Sequence, residues 1–189
     1  MILDLLRHGE TELGGGLRGS LDDALTEQGW AQMRTAVEAG GPWDVLVSSP
    51  LQRCVRFADE LGARLGLEVQ LESGVRELHF GEWEGRSAAQ IMQSQADELG
   101  RFWADPYAFT PPAGEPVEAF AERVLAAVRG LAHQHAGKRV LLVTHGGVMR
   151  LLLARARGLP REQLLQVEVG HGALLRLDWQ AEELLREVD

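Results

Sequence analysis

The sequence predicts an α/β fold, a three-layer α/β/α sandwich with a mostly parallel central sheet. Short apolar runs alternate along the chain with longer segments of helical periodicity, which is the pattern of strands separated by helices. Two of the apolar runs, residues 2–6 and 140–143, end in Arg-His-Gly and Thr-His-Gly. Because ligands bind beyond the carboxyl ends of parallel strands, we expect these two histidines at one site.

Composition limits the classes of protein to which the chain can belong. The 189 residues are 45% hydrophobic and 25% charged, and we expect one domain over residues 1–189. The 28 acidic and 19 basic residues give a net charge of -9, which argues against nucleic acid and anionic membranes as partners. The single cysteine, Cys54, cannot form an intramolecular disulfide, and no signal peptide or membrane-length apolar run is recognisable. These features predict a cytoplasmic protein.

The first half of the chain contains three predicted strands and two predicted helices. Thr26 is expected to cap the first helix, with Glu27 in its first turn. The second helix follows Ser48-Ser49-Pro50, where the serines are expected to cap and Pro50 to take the first helical position. In chain order, the predicted elements are a strand at 2–6, a glycine-rich loop at 14–19, a helix at 26–39, a strand at 44–47, a helix at 50–66 and a strand at 67–71.

The second half begins with an irregular, charged segment at 74–85, which is more typical of a functional loop than of a core element. Further on, apolar residues from Val117 to Leu131 recur at helical spacing and predict a strong amphipathic helix. The other predicted elements are a helix at 87–103, a rigid proline-rich connector at 105–114, a strand at 140–143, helices at 146–157 and 160–165, strands at 166–169 and 173–177, and a surface helix at 180–188.

Side chains suited to phosphate chemistry follow the predicted strands. Arg7 and Arg53 carry a permanent charge and can clamp a phosphoryl group through paired donors, and Arg53 lies in the first turn of its predicted helix. His8 could attack phosphorus if its ring is neutral and one nitrogen is fixed by a hydrogen bond. His145, on a second glycine-flanked turn, could stabilise charge on the phosphoryl oxygens.

The irregular segment offers two candidate proton donors for the leaving group. Glu77 or Glu82 could act as the acid if burial raised the pKa of that carboxyl. His79 lies beside Glu77 in the sequence, but packing or loop orientation is its simpler interpretation. The aromatic residues at 102–109 are most simply explained as core or lid packing, with a leaving-group pocket as the alternative.

Each histidine also has a purely structural interpretation. A lone histidine after a strand is more often a satisfied polar residue than a catalyst, and it is the paired context of His8 and His145 that favours catalysis. Arg53 taken alone would be a solvated helix residue. His133 and His135 have neither carboxylate nor cysteine neighbours, so they are weak evidence for a metal site.

Other nucleotide and phosphate motifs fail on spacing. The glycine pattern at 14–19 fits a dinucleotide loop, but it lies well after the strand and does not lead directly into a helix. The only lysine, Lys138, is not part of a Walker loop. Cys54 is followed six residues later by Glu60, where a cysteine-dependent phosphatase would need arginine. Histidine remains the best candidate nucleophile.

Eight short stretches of the chain can be compared with known families. They are Leu6-Arg7-His8-Gly9-Glu10-Thr11, Gly19-x-Leu21-Asp22, Leu25-Thr26-x-x-Gly29, Ser48-Ser49-Pro50-Leu51-x-Arg53, Arg76-Glu77, Gly81-x-Trp83-x-Gly85, Pro112-x-Gly114-Glu115 and Val143-Thr144-His145-Gly146-Gly147. In this order, over about residues 2–177, they resemble the histidine phosphatase superfamily with its phosphoglycerate-mutase-like fold.

The resemblance implies an activity and a set of site residues. His8 would be phosphorylated, and Glu77 would be the general acid and then the base for a water molecule that hydrolyses the phosphohistidine. Neither a metal nor an organic cofactor is implied. The residues expected in phosphate or substrate binding are Arg7, Gly14, Gly19, Arg53, His145 and Gly146.

Gly14 departs from the family pattern. The family often has asparagine three residues after the threonine, as a further phosphate ligand, whereas this chain has Gly14. Either backbone N–H groups of the glycine-rich loop replace that contact, or phosphate is held more loosely.

Within the superfamily, the compact length and the stretch at 112–115 are similar to small phosphatases, especially those acting on alpha-ribazole phosphate in cobalamin nucleotide-loop assembly. The alternatives are a broad sugar-phosphate or nucleotide phosphatase, a phosphoglycerate mutase, and a catalytically weak module that binds phosphorylated ligands. We expect a small-molecule phosphomonoester as partner, with no nucleic acid and no membrane, and leave a homodimer open.

Overall fold

A six-stranded sheet forms the centre of the computed structural model, which describes residues 1–180 and 185–188. The strands are β1 (Ile2–Arg7), β2 (Val45–Ser48), β3 (Val69–Leu71), β4 (Arg139–Thr144), β5 (Leu174–Trp179) and β6 (Leu185–Val188), and their order is β3-β2-β4-β1-β5-β6. The strands from β3 to β1 are parallel, β5 runs antiparallel to β1, and β6 runs antiparallel to β5. The predicted mostly parallel sheet is confirmed.

Helices lie on both faces of this sheet. In the described part of the chain they are α1 (Glu27–Glu38), α2 (Gln52–Leu65), α3 (Ala88–Ala104), α4 (Val117–Gln134) and α5 (Gly146–Ala156), with 3-10 turns at Ser73–Val75, Gly81–Trp83 and Arg161–Gln166. Leu5 of β1 packs in one core cluster with apolar residues of α4 and α5, whereas Leu6 packs in a second cluster with residues of α1 and α2. Leu5 and Leu6 pack on different faces because successive side chains of a strand point to opposite sides of the sheet. The predicted three-layer sandwich is confirmed.

Local signals define several of the helix ends. Thr26 caps α1, and its side chain accepts a hydrogen bond from the backbone N–H of Gly29 at 3.0 Å. Ser87 and Gln90 form a reciprocal capping box at the start of α3. Gly66 ends α2 in the left-handed conformation, with φ of 69°, which glycine adopts at little cost.

The start of α2 differs from the prediction. The serines do not cap this helix, Pro50 lies before it, and the first helical residue is Gln52. The backbone N–H of Gln52 donates instead to Asp22 Oδ1 at 2.7 Å, so a carboxylate from a distant loop takes the capping role. The hydroxyl of Ser49 accepts from the backbone N–H of Leu51 at 3.4 Å and lies 2.7 Å from a ring nitrogen of His145.

The predicted strand at 166–169 is wrong. Residues 161–166 form a 3-10 turn, and the chain from 167 to 173 is irregular. The carbonyl oxygens of Val167 and Val169 accept hydrogen bonds from the side chains of Arg150 and Arg7. Arginine side chains thus satisfy the backbone groups that a sheet neighbour would otherwise bind, while both valines are buried.

The predicted surface helix at 180–188 is also wrong where the structure describes it. Residues 185–188 form β6, which pairs with β5 from Leu185 opposite Trp179 to Val188 opposite Arg176. Leu185 is buried, whereas residues 186–188 are exposed. The part of this prediction at 181–184 lies outside the described residues. Among the described helices, none combines the length and the apolar character that crossing a membrane requires.

Candidate active site

The ends of β1 and β4 bring two histidines together. These strands are parallel neighbours, and Arg7 is the register partner of Thr144. His8 and His145 follow directly, the backbone N–H of His8 donates to Thr144 O at 3.0 Å, and the two imidazole ring centres are 5.3 Å apart. The register of the sheet therefore sets the spacing of the two imidazoles.

His8 has the protonation state that a nucleophile requires. Its Nδ1 lies 2.8 Å from Gly9 O, and because a carbonyl oxygen can only accept, Nδ1 carries the hydrogen and Nε2 the lone pair. Burial, together with the nearby charges of Arg53 and Arg7, holds the pKa of His8 well below its usual range. His8 is therefore neutral at physiological pH, with its free nitrogen fixed in one tautomer.

His145 is fully buried behind His8. Its Nε2 lies 2.7 Å from Ser49 Oγ, at the end of β2. Burial, followed by the charge of Arg53 and the neighbouring His8, also holds the pKa of His145 well below its usual range. Cys54 lies 3.7 Å from the same nitrogen, and burial raises the pKa of its thiol to about 12, so this cysteine stays protonated. The imidazole of His145 is thus a neutral, tightly held group.

Arg53 is fully buried in the first turn of α2. Its Nη1 donates to Leu21 O at 2.6 Å, and its Nη2 donates to Gly19 O at 2.9 Å. Its Nε is buried and has no hydrogen-bond partner in the described part of the chain. Two nitrogens of the guanidinium therefore fix the loop before α1, and the third offers an unpaired donor.

Arg7 resembles Arg53 in this respect. Its Nη1 donates to Val169 O, and its buried Nε has no hydrogen-bond partner within residues 1–180 and 185–188. Gly146 lets two cations approach each other, because a Cβ at this position would lie 3.2 Å from both Arg7 Nε and Arg150 Nη1. A phosphoryl group would supply acceptors for these unpaired donors.

The glycine-rich loop is held by its own cation. Gly14 is exposed with φ of 67°, and its backbone N–H donates to Thr11 O at 3.1 Å. The N–H of Gly14 is therefore already used within its turn. Arg18 was not predicted as a site residue from the sequence. Its Nη2 donates to Gly14 O, and its Nε lies 2.8 Å from Asp23 Oδ2.

Gly19 holds its place through close backbone packing. A Cβ at this position would clash with the carbonyl oxygen of Leu78, so only glycine allows the loop before α1 to meet the segment that carries Glu77. The carbonyl of Gly19 is also the acceptor for Arg53. Gly19 borders the cavity described below.

Glu77 lies between the strand ends and an open cavity. Its Oε1 accepts from the backbone N–H of Leu78, and its Oε2 accepts from that of Gly147 in the first turn of α5, both at 2.9 Å. Glu82, the other candidate acid, is exposed in the 3-10 turn Gly81–Trp83. The structure therefore brings Glu77, and not Glu82, to the site.

Two cavities meet at Glu77. The larger has a volume of about 320 Å³ and is lined by Gly19, Ser20, Leu51, Arg76, Glu77, His79, Glu115 and Arg123. His79 thus borders the cavity, beyond the packing role expected for it. The smaller has about 50 Å³ and mostly apolar walls, including Phe102. Of the other aromatic residues at 102–109, Phe109 stacks on Trp83 and Trp103 is half exposed.

His171 and Arg150 also lie at the site, although neither was predicted from the sequence. The His171 ring lies 5.8 Å from the His8 ring, and partial burial together with the charge of Arg7 lowers the pKa of His171. His171 precedes β5, an antiparallel neighbour of β1, so the start of β5 lies at the same sheet edge as the end of β1. The Gly170-His171-Gly172 stretch before that strand was the available signal.

No grouping of three or more His, Cys, Asp or Glu side chains suited to a metal ion occurs among residues 1–180 and 185–188. The site offers a neutral imidazole, guanidinium nitrogens without a partner among the described residues, and one carboxyl group beside an open cavity. This combination suits transfer of a phosphoryl group to histidine.

Several proteins with similar sequences are named as phosphatases. The chain is 31% identical to the adenosylcobalamin/alpha-ribazole phosphatase of Escherichia coli over 182 residues, which covers 94% of this chain and 90% of that protein. It is 34% identical to the glucosyl-3-phosphoglycerate phosphatase of Mycolicibacterium vanbaalenii over 169 residues, covering 84% and 75% of the two chains.

Solved structures agree with these relatives. The alpha-ribazole phosphatase of Shigella flexneri superposes with a TM-score of 0.86 at 28% identity, covering 100% of this chain and 95% of that one. The sequence-family model of the histidine phosphatase superfamily, branch 1, matches residues 3–187 of this chain. Family, fold and motifs agree, and the chain is a phosphatase that belongs to branch 1 of the histidine phosphatase superfamily.

Proposed function

We propose that this phosphatase hydrolyses phosphomonoesters through a phosphohistidine on His8, with alpha-ribazole 5'-phosphate as the favoured substrate. The observation that carries the mechanism is the fixed tautomer of His8, whose Nδ1–H is held by Gly9 O at 2.8 Å while Nε2 keeps its lone pair. A neutral imidazole with an oriented lone pair can attack phosphorus without first losing a proton.

In the first step, His8 Nε2 forms a bond to phosphorus as the bond from phosphorus to the leaving oxygen breaks. Glu77, in its carboxylic acid form, donates its proton to that oxygen, so the leaving group departs as a neutral alcohol. A water molecule then attacks the phosphohistidine and gives a proton to the Glu77 carboxylate. The N–P bond breaks, inorganic phosphate leaves, and Glu77 is an acid again.

The phosphoryl oxygens would be bound by the cations around His8. The Nε atoms of Arg7 and Arg53 are buried donors without a hydrogen-bond partner in the described residues, as expected of groups that bind an oxyanion. His145 would support the charge that develops on the same oxygens, held in place by Ser49. Gly146 would leave space beside the Nε of Arg7.

The substrate proposal rests on the comparisons and on the larger cavity. The relative named as an adenosylcobalamin/alpha-ribazole phosphatase matches 94% of this chain. The cavity of about 320 Å³ beside Glu77 can receive a leaving group the size of a nucleoside or sugar. Its mixed lining also suits a broader range of sugar phosphates or nucleotides, and relatives named as glucosyl-3-phosphoglycerate phosphatases support that alternative.

Rapid-quench labelling with a phosphate-labelled substrate tests the mechanism. We expect acid-labile label on the wild-type protein within the first turnover and none on His8→Ala. His133→Ala is the matched control, because His133 is exposed at the end of α4 and should label like the wild type. Label that persists unchanged on His8→Ala would contradict the proposed intermediate.

A substrate panel tests the specificity. Alpha-ribazole 5'-phosphate should give the highest kcat/KM among phosphoglycerates, sugar phosphates and nucleotides, with one inorganic phosphate released per ester. A higher kcat/KM on another compound would transfer the proposal to that class. Transfer to a second hydroxyl with little free phosphate would indicate a mutase, and tight binding without turnover would indicate a binding module.

A further inference from the structure

Arg123, on α4, binds the backbone segment that carries Glu77. Its Nη1 donates to the carbonyl oxygens of Gly74 and Arg76 at 2.9 and 2.8 Å, and its Nη2 donates to Glu77 O at 2.9 Å. Its Nε and Nη2 also donate to the two carboxylate oxygens of Glu115 at 2.7 and 2.8 Å. Because a guanidinium has five N–H donors, every donor of Arg123 is used.

The remaining carbonyl of this segment, that of Val75, is bound by a residue of β4. The hydroxyl of Thr144, which immediately precedes His145, donates to Val75 O at 2.9 Å. Each carbonyl oxygen from residue 74 to residue 77 therefore accepts a hydrogen bond from a side chain. The carbonyl groups of this irregular segment are therefore hydrogen-bonded as fully as those of a regular helix or strand.

Packing reinforces the same attachment. A Cβ on Gly74 would lie 2.7 Å from the Cβ of Ala127, so the segment lies directly against α4. The guanidinium of Arg123 also lies over the ring of Phe120, 4.9 Å from its centre. The side chain of Glu77 is held as well, because both of its carboxylate oxygens accept hydrogen bonds from backbone N–H groups.

We propose that Arg123 is a positioning residue for proton transfer to the leaving group. It fixes the backbone of Glu77 relative to the strand ends, so that the carboxyl group stays at the boundary between the phosphoryl site and the cavity. Although Arg123 borders the cavity, it has no donor left for a substrate. The inference rests on the proposed acid role of Glu77.

Leaving-group dependence separates this role from a merely structural one. A poor leaving group such as the sugar alkoxide of ribose 5-phosphate needs a proton, whereas 4-nitrophenolate departs without one. Arg123→Met should lower kcat on ribose 5-phosphate by about 30-fold, because a shift of about 1 Å in a catalytic group can cost about 100-fold. On 4-nitrophenyl phosphate the loss should stay under about 3-fold, and inhibition by inorganic phosphate should not change.

The controls use matched arginines and a double variant. Arg34 on α1 forms an exposed ion pair with Glu60 on α2 through two hydrogen bonds, and Arg34→Met should leave both activities unchanged. In the double variant Glu77→Gln/Arg123→Met, the loss on ribose 5-phosphate should be close to that of Glu77→Gln alone, because both changes remove the same function. Multiplying losses would contradict the proposal.

The outcomes distinguish this inference from the proposed function. Equal losses on the two substrates in Arg123→Met, or no loss on either, would overturn the positioning role. If Glu77→Gln itself shows no leaving-group dependence, the acid role fails first. If Arg123→Met does not fold, Arg123→Lys replaces it, since lysine keeps a positive charge beside Glu115 but has three donors in place of five, and it should show the same asymmetry at smaller size.

Discussion

The two ends of the active site are built in opposite ways. The proposed phosphoryl end consists of Arg7, His8, Arg53 and His145, and the last three of these are buried. The proposed leaving-group end consists of Arg76, Glu77 and His79 beside the larger cavity, and these residues belong to an irregular segment with partial or full exposure. A buried end can hold charged groups in fixed positions around the phosphoryl group. An open end can accommodate leaving groups of different size and shape.

Removing the buried cation should give the largest effect. Arg53→Met removes the buried Nε donor proposed for the phosphoryl group, so we expect kcat/KM to fall about 10²- to 10³-fold. It also leaves Gly19 O and Leu21 O without their side-chain donor. The loss should be equal on ribose 5-phosphate and 4-nitrophenyl phosphate, because Arg53 acts on the phosphoryl group that both share. Unfolding in urea should also show a loss of about 3 kcal/mol, since a buried charged network is broken.

Arg56 provides the control for this comparison. It lies one turn further along α2 and is exposed, so Arg56→Met should change the free energy of unfolding by less than about 0.5 kcal/mol. A loss of activity in Arg53→Met that depends on the leaving group would place Arg53 at the other end of the site.

Glu77→Gln should affect the boundary between the two ends. Glutamine keeps the size of the side chain but cannot donate an acidic proton, so kcat on ribose 5-phosphate should fall about 100-fold. On 4-nitrophenyl phosphate the loss should stay below about 10-fold, because that leaving group needs no proton. Steady-state kinetics on both esters measures the ratio, and Glu82→Gln, in an exposed turn, serves as the unaffected control. Equal losses would argue against Glu77 as the acid.

The pH dependence of stability should report the buried histidines. Burial lowers the pKa of His8 and of His145 in the folded protein, whereas in the unfolded chain both should titrate near the usual value of about 6.5. Below that pH the unfolded state binds more protons, so stability should fall as pH falls, by roughly 3 kcal/mol for the pair between pH 7.5 and 5.5.

Urea unfolding across this pH range measures the slope. His8→Asn should remove about half of it, and His133→Asn should leave it unchanged because His133 is exposed. A wild-type protein equally stable at pH 7.5 and 5.5 would contradict the neutral, buried state of the two imidazoles.

Arg76→Ser should give the smallest effect, confined to the open end. Arg76 is exposed, and its Nε donates weakly to Ser73 O at 3.2 Å, so contacts from its terminal nitrogens to a leaving group should contribute less than about 1 kcal/mol. We expect KM to rise up to about 5-fold for nucleotide and sugar phosphates, with kcat unchanged, as initial-rate measurements would show. A fall in kcat on 4-nitrophenyl phosphate would show that Arg76 acts on the phosphoryl group instead.

The sequence by itself determined the buried end. Apolar runs that end in Arg7-His8 and Thr144-His145 predict parallel strands whose ends meet, and Thr26 and Ser87 provide local capping signals. These features are readable because periodicity, capping and strand-end placement depend on neighbouring residues. The same local reasoning failed at 166–169 and at 185–188, where long-range partners decide the conformation.

Only the tertiary structure decided how the site is completed. The approach of His171 to His8 depends on an antiparallel strand, and the place of Glu77 depends on a guanidinium from α4. Each is a contact between a side chain and a backbone group or ring, which leaves little trace in periodicity. The sequence determined which groups could carry the chemistry, whereas the folded chain decided which donors are already occupied and which are left for a substrate.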